Sequence, residues 1–459
     1  MLSQTEAKQL IANILSFSKA DECGVTVGAV EHANTRFARN SITTSGRATS
    51  IAIQISSTKG SKTGTTGTNE TSDAALRAAV ARSEELAALA PPDPEYIEPV
   101  GPQKYPEISS YDAATAATGA KEMLPGVKAA IEGAEAKGLT AAGYFEREAQ
   151  ALALGNKRGN FGYTTRTTAE YSVTARTADG TGSGWGAAEG SHLSDVDAPA
   201  AARVAIEKSV ASQNSRHLEP GKYTVILEPA AVEEMVGFLF GSFNARAAEE
   251  GRSLLTRKGG GTLLGEKLFS EKVTARSDPF DPRLTAAPWS GNVSTGLGGV
   301  GQFFFGGGGG GFGGFLPAQK MTWIEKGVIK NLAYARYWAK KKGVEPTPPP
   351  GANLVIDGED HSLDDLVQAS DRALLITRFW YIRFVNPQTV QLTGLTRDGV
   401  FMIEKGKIAY PVMNFRWNES PANVLANLEG MSHPVRVGGS LIPAMKTREF
   451  TFTSLSDAV

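Results

Sequence analysis

The residues best placed to do chemistry in this chain are two consecutive carboxylates, Glu233 and Glu234. They lie in Val225-Ile226-Leu227-Glu228-Pro229-Ala230-Ala231-Val232-Glu233-Glu234-Met235-Val236-Gly237-Phe238. The β-branched run reads as a strand, Pro229 marks a helix start, and apolar residues then recur at helical spacing. On such a helix a carboxylate can serve as general base to a metal-bound water, if about three protein ligands hold the metal and leave one position open. Ligands are scarce. The histidines are His32, His192, His217, His361 and His433, and no two stand at helical or hairpin ligand spacing. Cys23 is the single cysteine, so the C-terminal stretch Gly438-Gly439-Ser440-Leu441-Ile442-Pro443-Ala444-Met445-Lys446 has none. A site drawn from separate elements stays open, but no spacing points to one. Consecutive residues project about 100° apart on a helix, so Glu233 and Glu234 do not form a carboxylate pair. In a first helical turn the helix dipole favours them simply as solvated acids. Phe238 cannot ligate a metal and reads as core. No metal or cofactor is assigned to this chain.

The second candidate is the aromatic-basic run Arg378-Phe379-Trp380-Tyr381-Ile382-Arg383-Phe384. As a regular strand it places Phe379, Tyr381 and Arg383 on one face and Arg378, Trp380, Ile382 and Phe384 on the other. One face packs in the core while the other lines a cleft for extended peptide, or the whole run is core. Arg378 or Arg383 could hold a peptide carboxylate bidentately.

These residues need a scaffold. Residues 4–17 read as a helix, followed by strands at 24–30, 35–42 and 50–55 and a turn at Lys59-Gly60. Ser72 can cap a helix over 74–90 that stops at Pro91-Pro92. The Pro-rich stretch 91–106 is a linker candidate. Asp112 can cap a helix over about 113–137, and strands follow at 140–147, 150–156, 161–167 and 170–177. Gly182-Ser183-Gly184-Trp185-Gly186 reads as a flexible loop, and Asp197 can cap a helix over about 198–213 with Pro199 in its first turn. Beyond 218 the chain is mainly β. Trp323-Ile324-Glu325-Lys326-Gly327-Val328-Ile329 and Met402-Ile403-Glu404-Lys405-Gly406-Lys407-Ile408 read as two ordinary hairpins that fit one barrel-like sheet. The stretch 293–315 contains Gly306 to Gly311 unbroken. So much glycine cannot form a packed element. It lacks the strand, helix and Lys or Ser/Thr offset of a phosphate loop, leaving a flap over a cleft or a surface insertion. The expected organisation is α+β: an N-terminal α+β domain over 1–92, a middle α+β domain over 107–216, and a β-rich, barrel-like C-terminal domain over 218–459 that contains the helix of Glu233.

Composition narrows the function classes. A length of 459 residues calls for two or three domains. A formal net charge of -1 argues against a general binder of nucleic acid or anionic membrane, which needs surplus Lys and Arg. No apolar run reaches the roughly 18 residues of a spanning helix, and the polar start lacks the pattern of a signal peptide. With one cysteine and no internal disulfide, the cytoplasm is the expected location.

Several segments, in order along nearly the whole chain, resemble the TldD/PmbA family of peptidases, once named modulators of DNA gyrase. They are Arg36-Phe37-Ala38-Arg39-Asn40-Ser41 with Ile51-Ala52-Ile53, then Gly358 to Leu366 with Ala373 to Arg378. Most specific is Asn386-Pro387-Gln388-Thr389 through Thr393-Gly394 and Gly399 to Ile408. In catalytic members the helix carries His-Glu-x-x-x-His. Here Glu233 stands at the first His, Glu234 at the Glu and Phe238 at the second His, and the C-terminal Cys ligand is missing. The resemblance implies an inactive, pseudoenzyme-like subunit that pairs with a same-fold zinc-bearing partner in a heterodimer, or with itself, and acts on unfolded or short peptides. It also implies substrate contacts from Arg378, Trp380, Arg383, Asn386 and Thr389. Two other functions remain: a zinc-independent peptide-binding or regulatory module, and a hydrolase with an unrecognised site. The last is hard to build from five scattered histidines. Nothing in the sequence supports a gyrase contact: no basic stripe, helix-turn-helix or zinc finger is present.

Overall fold

In a computed structural model of the chain, residues 1–108, 110–291, 293–295, 314–350 and 353–456 are described. The N-terminal half is built on one antiparallel six-stranded sheet, in which ranges 1–92 and 107–216 each supply three neighbouring strands. The central pair is Glu22–Ala38 beside Leu139–Asn156, in continuous register from Gly24 opposite Asn156 to Phe37 opposite Gly143. The sequence reading cut these strands short. Glu22–Ala38 runs unbroken until Arg39-Asn40 turns it, both residues adopting positive φ. Leu139–Asn156 and Phe161–Thr177 each run straight through Glu148-Ala149 and Thr168-Ala169, where they were expected to divide. Sheet pairing on both sides satisfies the backbone there, so polar side chains do not end the strand.

The two faces of this sheet differ. Odd-numbered residues of the first strand, Val25, Val27, Ala33 and Phe37, face apolar clusters formed with the helices Gln4–Phe17, Asp73–Leu89, Ala120–Glu135 and Ala198–Ala211. The first helix starts with a capping box between Ser3 and Glu6, and Ala198–Ala211 with Asp197 accepting from the Ala200 N–H. The single helix expected over 113–137 is two, Ala113–Ala117 and Ala120–Glu135. The break leaves the Thr118 carbonyl free to accept from the buried Arg147 Nε at 2.9 Å.

Gly182 to Gly186 is not a loop. Ser183–Gly190 is the edge strand of the sheet, and its glycines let the helix Ala198–Ala211 lie directly on it. A Cβ at Gly184 would stand 2.2 Å from the Ala205 carbonyl oxygen, and one at Gly186 would stand 2.1 Å from that of Ala201.

The C-terminal region contains a closed five-stranded barrel. Lys222–Leu227 lies between Arg372–Asn386, its parallel neighbour, and Met445–Leu455. The ring continues through Phe415–Glu419 and Gln391–Glu404, which pairs back to Arg372–Asn386. Phe379, Phe415, Trp417, Phe450 and Phe452 fill it, with ring centroids 4.6–5.8 Å apart. The fold class is α+β with a barrel in the C-terminal region. The two Lys-Gly hairpins both form, with positive φ at Lys326-Gly327 and Lys405-Gly406, but they do not share a sheet. The first belongs to a separate sheet with Ala275–Ser277 and Leu354–Ile356, while the second borders the barrel.

Of the stretch 293–315, residues 296–313 lie outside the described residues, and the expected flap or insertion falls on them. Its flanks are anchored: Val293 and Phe315 pack with Leu152, Leu154 and Trp289 on the second face of the N-terminal sheet. Among the described residues no helix is long and apolar enough to cross a membrane.

Candidate functional site

The segment singled out in the sequence is a strand, Lys222–Leu227, leading into the helix Pro229–Phe240. Ala231, Val232, Met235, Val236, Leu239 and Phe240 bury its apolar face. Glu233 and Glu234 look instead towards a cavity of about 410 Å³ between this helix and the second face of the N-terminal sheet. Its walls include Tyr144, Glu146, Glu170, Trp185 and Glu189 from the sheet and Arg436 to Gly438 from the C-terminal region.

The two carboxylates have different surroundings. Glu234 accepts from Arg378 Nη2 at 2.8 Å and from the Phe379 N–H at 2.7 Å. Burial pushes its carboxyl up to about 6, with Arg378 and the Phe379 N–H pulling the other way. The Arg378 guanidinium also lies 4.4 Å from the Trp185 ring, tying helix, barrel strand and N-terminal sheet together. Glu233 stands where a Cβ on Gly438 would come within 2.6 Å of its Oε1, so the left-handed turn Gly438-Gly439 passes directly over it. Glu189 fixes that turn, accepting from the Gly439 N–H at 2.7 Å and from Arg436 Nε at 3.3 Å. Burial, then Glu234 and Glu189, pushes Glu233 up to about 8. At the mouth of the helix Lys208 Nζ pairs with Glu228 at 2.6 Å.

Arg378 thus joins Glu233 and Glu234, while Phe238 packs edge-on against Phe384 at 5.2 Å and borders the core. The other expected contact residues lie along the hairpin towards its far end. Trp380 is exposed with Arg397 4.3 Å from its ring, and Arg383 is turned onto Tyr381 and the Ile382 carbonyl. Asn386 accepts from the Gln388 N–H, and the Thr389 carbonyl accepts from the Ser420 hydroxyl. None of these four lines the cavity. The strict alternation expected for 378–384 also fails. Tyr381 has φ of 58° and the pairing slips between Trp380 and Arg383, so Phe379 and Ile382 are buried while Tyr381 and Arg383 are exposed. The sequence reading missed Trp185, Glu189 and Arg436. Only the Gly438-Gly439 pair carried a local signal, that of a turn.

Residues 220–454, just over half of the chain, match the model of the PmbA/TldA metallopeptidase C-terminal domain. The chain belongs to the TldD/PmbA family. No curated protein sequence matches it. Among solved structures, TldE from Thermococcus kodakarensis is 18% identical with a TM-score of 0.80, covering 97% of this chain and 99% of that one. A candidate modulator of DNA gyrase from Bacteroides thetaiotaomicron is 18% identical with a TM-score of 0.80, covering 99% and 100%. Another from Thermotoga maritima is 17% identical with a TM-score of 0.79, covering 97% and 100%. At these identities the likeness is one of fold.

The donors at this helix do not fit the zinc that the resemblance implies for catalytic members. Glu234 is spent on Arg378 and a backbone N–H, the ring of Phe238 offers no lone pair, and Gly438 and Gly439 supply no side chain beside Glu233.

The position of Glu233 has a measurable consequence. The folded state holds its proton more tightly than the unfolded chain, so stability is greatest near the ordinary carboxylate range and falls as pH rises towards and through about 8. Glu233→Gln removes this loss. Its melting temperature is expected to match wild type at pH 5 and to exceed it by about 2–4 °C at pH 8.5. Parallel melting curves at both pH values would show instead that Glu233 ionises freely.

Proposed function

We propose that this chain is a non-catalytic subunit of a TldD/TldE-type cytosolic zinc metallopeptidase complex. In this reading a same-fold partner carries the zinc, and the assembly acts on unfolded or short peptides. The observation that carries it is the fate of the general-base position. Glu234 is locked by Arg378 and the Phe379 N–H between two positions, Glu233 and Phe238, that cannot act as imidazole ligands. Membership of a metallopeptidase family and a full-length fold match to a protein named TldE support the same reading.

The test is to purify the chain alone and co-expressed with a same-fold chain that has an intact His-Glu-x-x-x-His, and to assay hydrolysis of an unfolded peptide. The isolated chain is expected to be inactive. The pair is expected to hydrolyse the peptide, and to lose this activity when the partner's helix imidazoles are replaced. Chelator-sensitive hydrolysis by the isolated chain would overturn the reading.

The zinc-independent peptide-binding reading draws on a separate observation. Trp380, Tyr381, Phe384 and Val385 leave an exposed apolar end on the hairpin. Peptide retention without hydrolysis, whatever chain is co-expressed, would favour that reading.

A further inference from the structure

The polar face of the N-terminal sheet carries a group of side chains that the reading above does not use. His32 and Glu148 stand directly opposite each other on neighbouring strands, and Glu146 lies two residues along from Glu148 on the same face. One ligand atom from each of the three residues can be chosen so that all lie within 4.8 Å of one another. We propose that His32, Glu146 and Glu148 form a binding site for a divalent first-row transition-metal ion, of the zinc or manganese class.

Four features support this. First, the donor set is one imidazole and two carboxylates, which suits zinc or manganese better than calcium, whose sites use six or more oxygens. Second, the ligands sit within the unbroken register of the two central strands, so the backbone holds their spacing without help from an ion. Third, an outer contact aims one of them. Gln150 Nε2 donates to Glu148 Oε2 at 2.5 Å, and Arg166 Nε in turn donates to the Gln150 side-chain oxygen at 2.6 Å. Such contacts are what orient carboxylate ligands in metal sites. The Tyr144 hydroxyl, held by Asn34 Nδ2 at 2.9 Å, lies 3.4 Å from His32 Nε2, the nitrogen that faces Glu146, and so borders the site. Fourth, negative charge is concentrated here. Glu170 stands directly across from Glu146 and makes no hydrogen bond or ion pair among the described residues, while Glu189, across from Glu170 on the other side, is already paired with Arg436. Like charges placed opposite one another on a sheet repel, and a bound dication relieves this. Two of the three ligands already meet directly, His32 Nε2 lying 2.8 Å from Glu146 Oε2. Glu146 also lines the cavity beside the helix, so the ion would stand at its wall.

Sequence spacing alone conceals this arrangement, because His32 and Glu146 are 114 residues apart. The visible part is Glu146-Arg147-Glu148, two acids on one face of a strand with a buried arginine on the other.

The test is calorimetric titration of the chelator-treated full chain with Zn²⁺, Mn²⁺ and Ca²⁺. One Zn²⁺ per chain is expected, with Mn²⁺ weaker and Ca²⁺ undetectable at the same concentrations. Glu148→Gln keeps an acceptor for Gln150 and is the variant least disturbing to the fold. It and His32→Ala should each weaken Zn²⁺ binding by about 100-fold. His192→Ala, on an exposed histidine elsewhere, should leave it unchanged. Circular dichroism and melting of each variant show whether the fold is retained. Failure of wild type to take up Zn²⁺, or equal uptake by wild type and both folded variants, overturns the site and leaves His32 and Glu146 as an ion pair. Loss of uptake in His192→Ala alone would overturn it as well.

Discussion

Arg378→Ala is expected to lower the stability of the chain by about 3 kcal/mol, one of the two largest single-residue effects foreseen. The side chain is 17% exposed and its partner Glu234 22%, so removing the guanidinium strands a carboxylate in a recess that already holds Glu233. It also removes the cation over Trp185 that binds the barrel to the edge strand Ser183–Gly190. The Phe379 N–H remains as a donor, which places the loss at the lower end for a broken pair of this kind. Two features separate a charge effect from lost packing. Adding Glu234→Gln to Arg378→Ala should recover about half of the loss, because no charge is then stranded. The deficit should also shrink at pH 5, below the value of about 6 to which Glu234 is pushed in wild type. Urea denaturation of the three proteins at pH 5 and 8 measures both. A loss below about 1 kcal/mol at pH 8 would mean that the pair behaves as an exposed one.

Gly186→Val is expected to cost about as much, roughly 3 kcal/mol, through geometry instead of charge. The atom met by a Cβ there is a helix carbonyl oxygen at 2.1 Å, with the same carbonyl's carbon at 2.9 Å. Neither can swing aside as a side chain can. The helix Ala198–Ala211 must therefore lift from the sheet, drawing Lys208 away from Glu228. Gly46→Val is the matched control, since a Cβ at that position meets nothing within 4 Å. Thermal melting should separate the two by about 3 °C. Equal melting temperatures would show that the helix slides over the new side chain without cost.

Much of this architecture was legible where a local rule decides. Ser72, Asp112 and Asp197 cap helices as their side chains predict, and Pro229 opens the helix of Glu233. Reading failed where a distant partner decides. Nothing near Glu148-Ala149 says that Leu139–Asn156 continues, because its continuity comes from strands paired on both sides. The glycines at 182–186 signal a loop until a helix is known to rest on them. The same division holds in the site. The replaced ligand positions Glu233 and Phe238 could be read against the family. That Arg378 neutralises Glu234, and that Glu189 holds the turn over Glu233, depends on packing between regions far apart in the chain.

The route by which the barrel closes has a consequence for biosynthesis. Its first strand, Lys222–Leu227, is flanked by Arg372–Asn386 and Met445–Leu455, both made much later. Until residues 372–386 have emerged from the ribosome this strand has neither neighbour, and Val225 to Leu227, fully buried in the folded chain, lack their sheet partners. The N-terminal sheet, by contrast, has all its strands once Gly190 has emerged. Growing chains should therefore show protease-resistant N-terminal structure early, with the rest vulnerable to aggregation until release. The burden on chaperones would fall on the second half of the polypeptide.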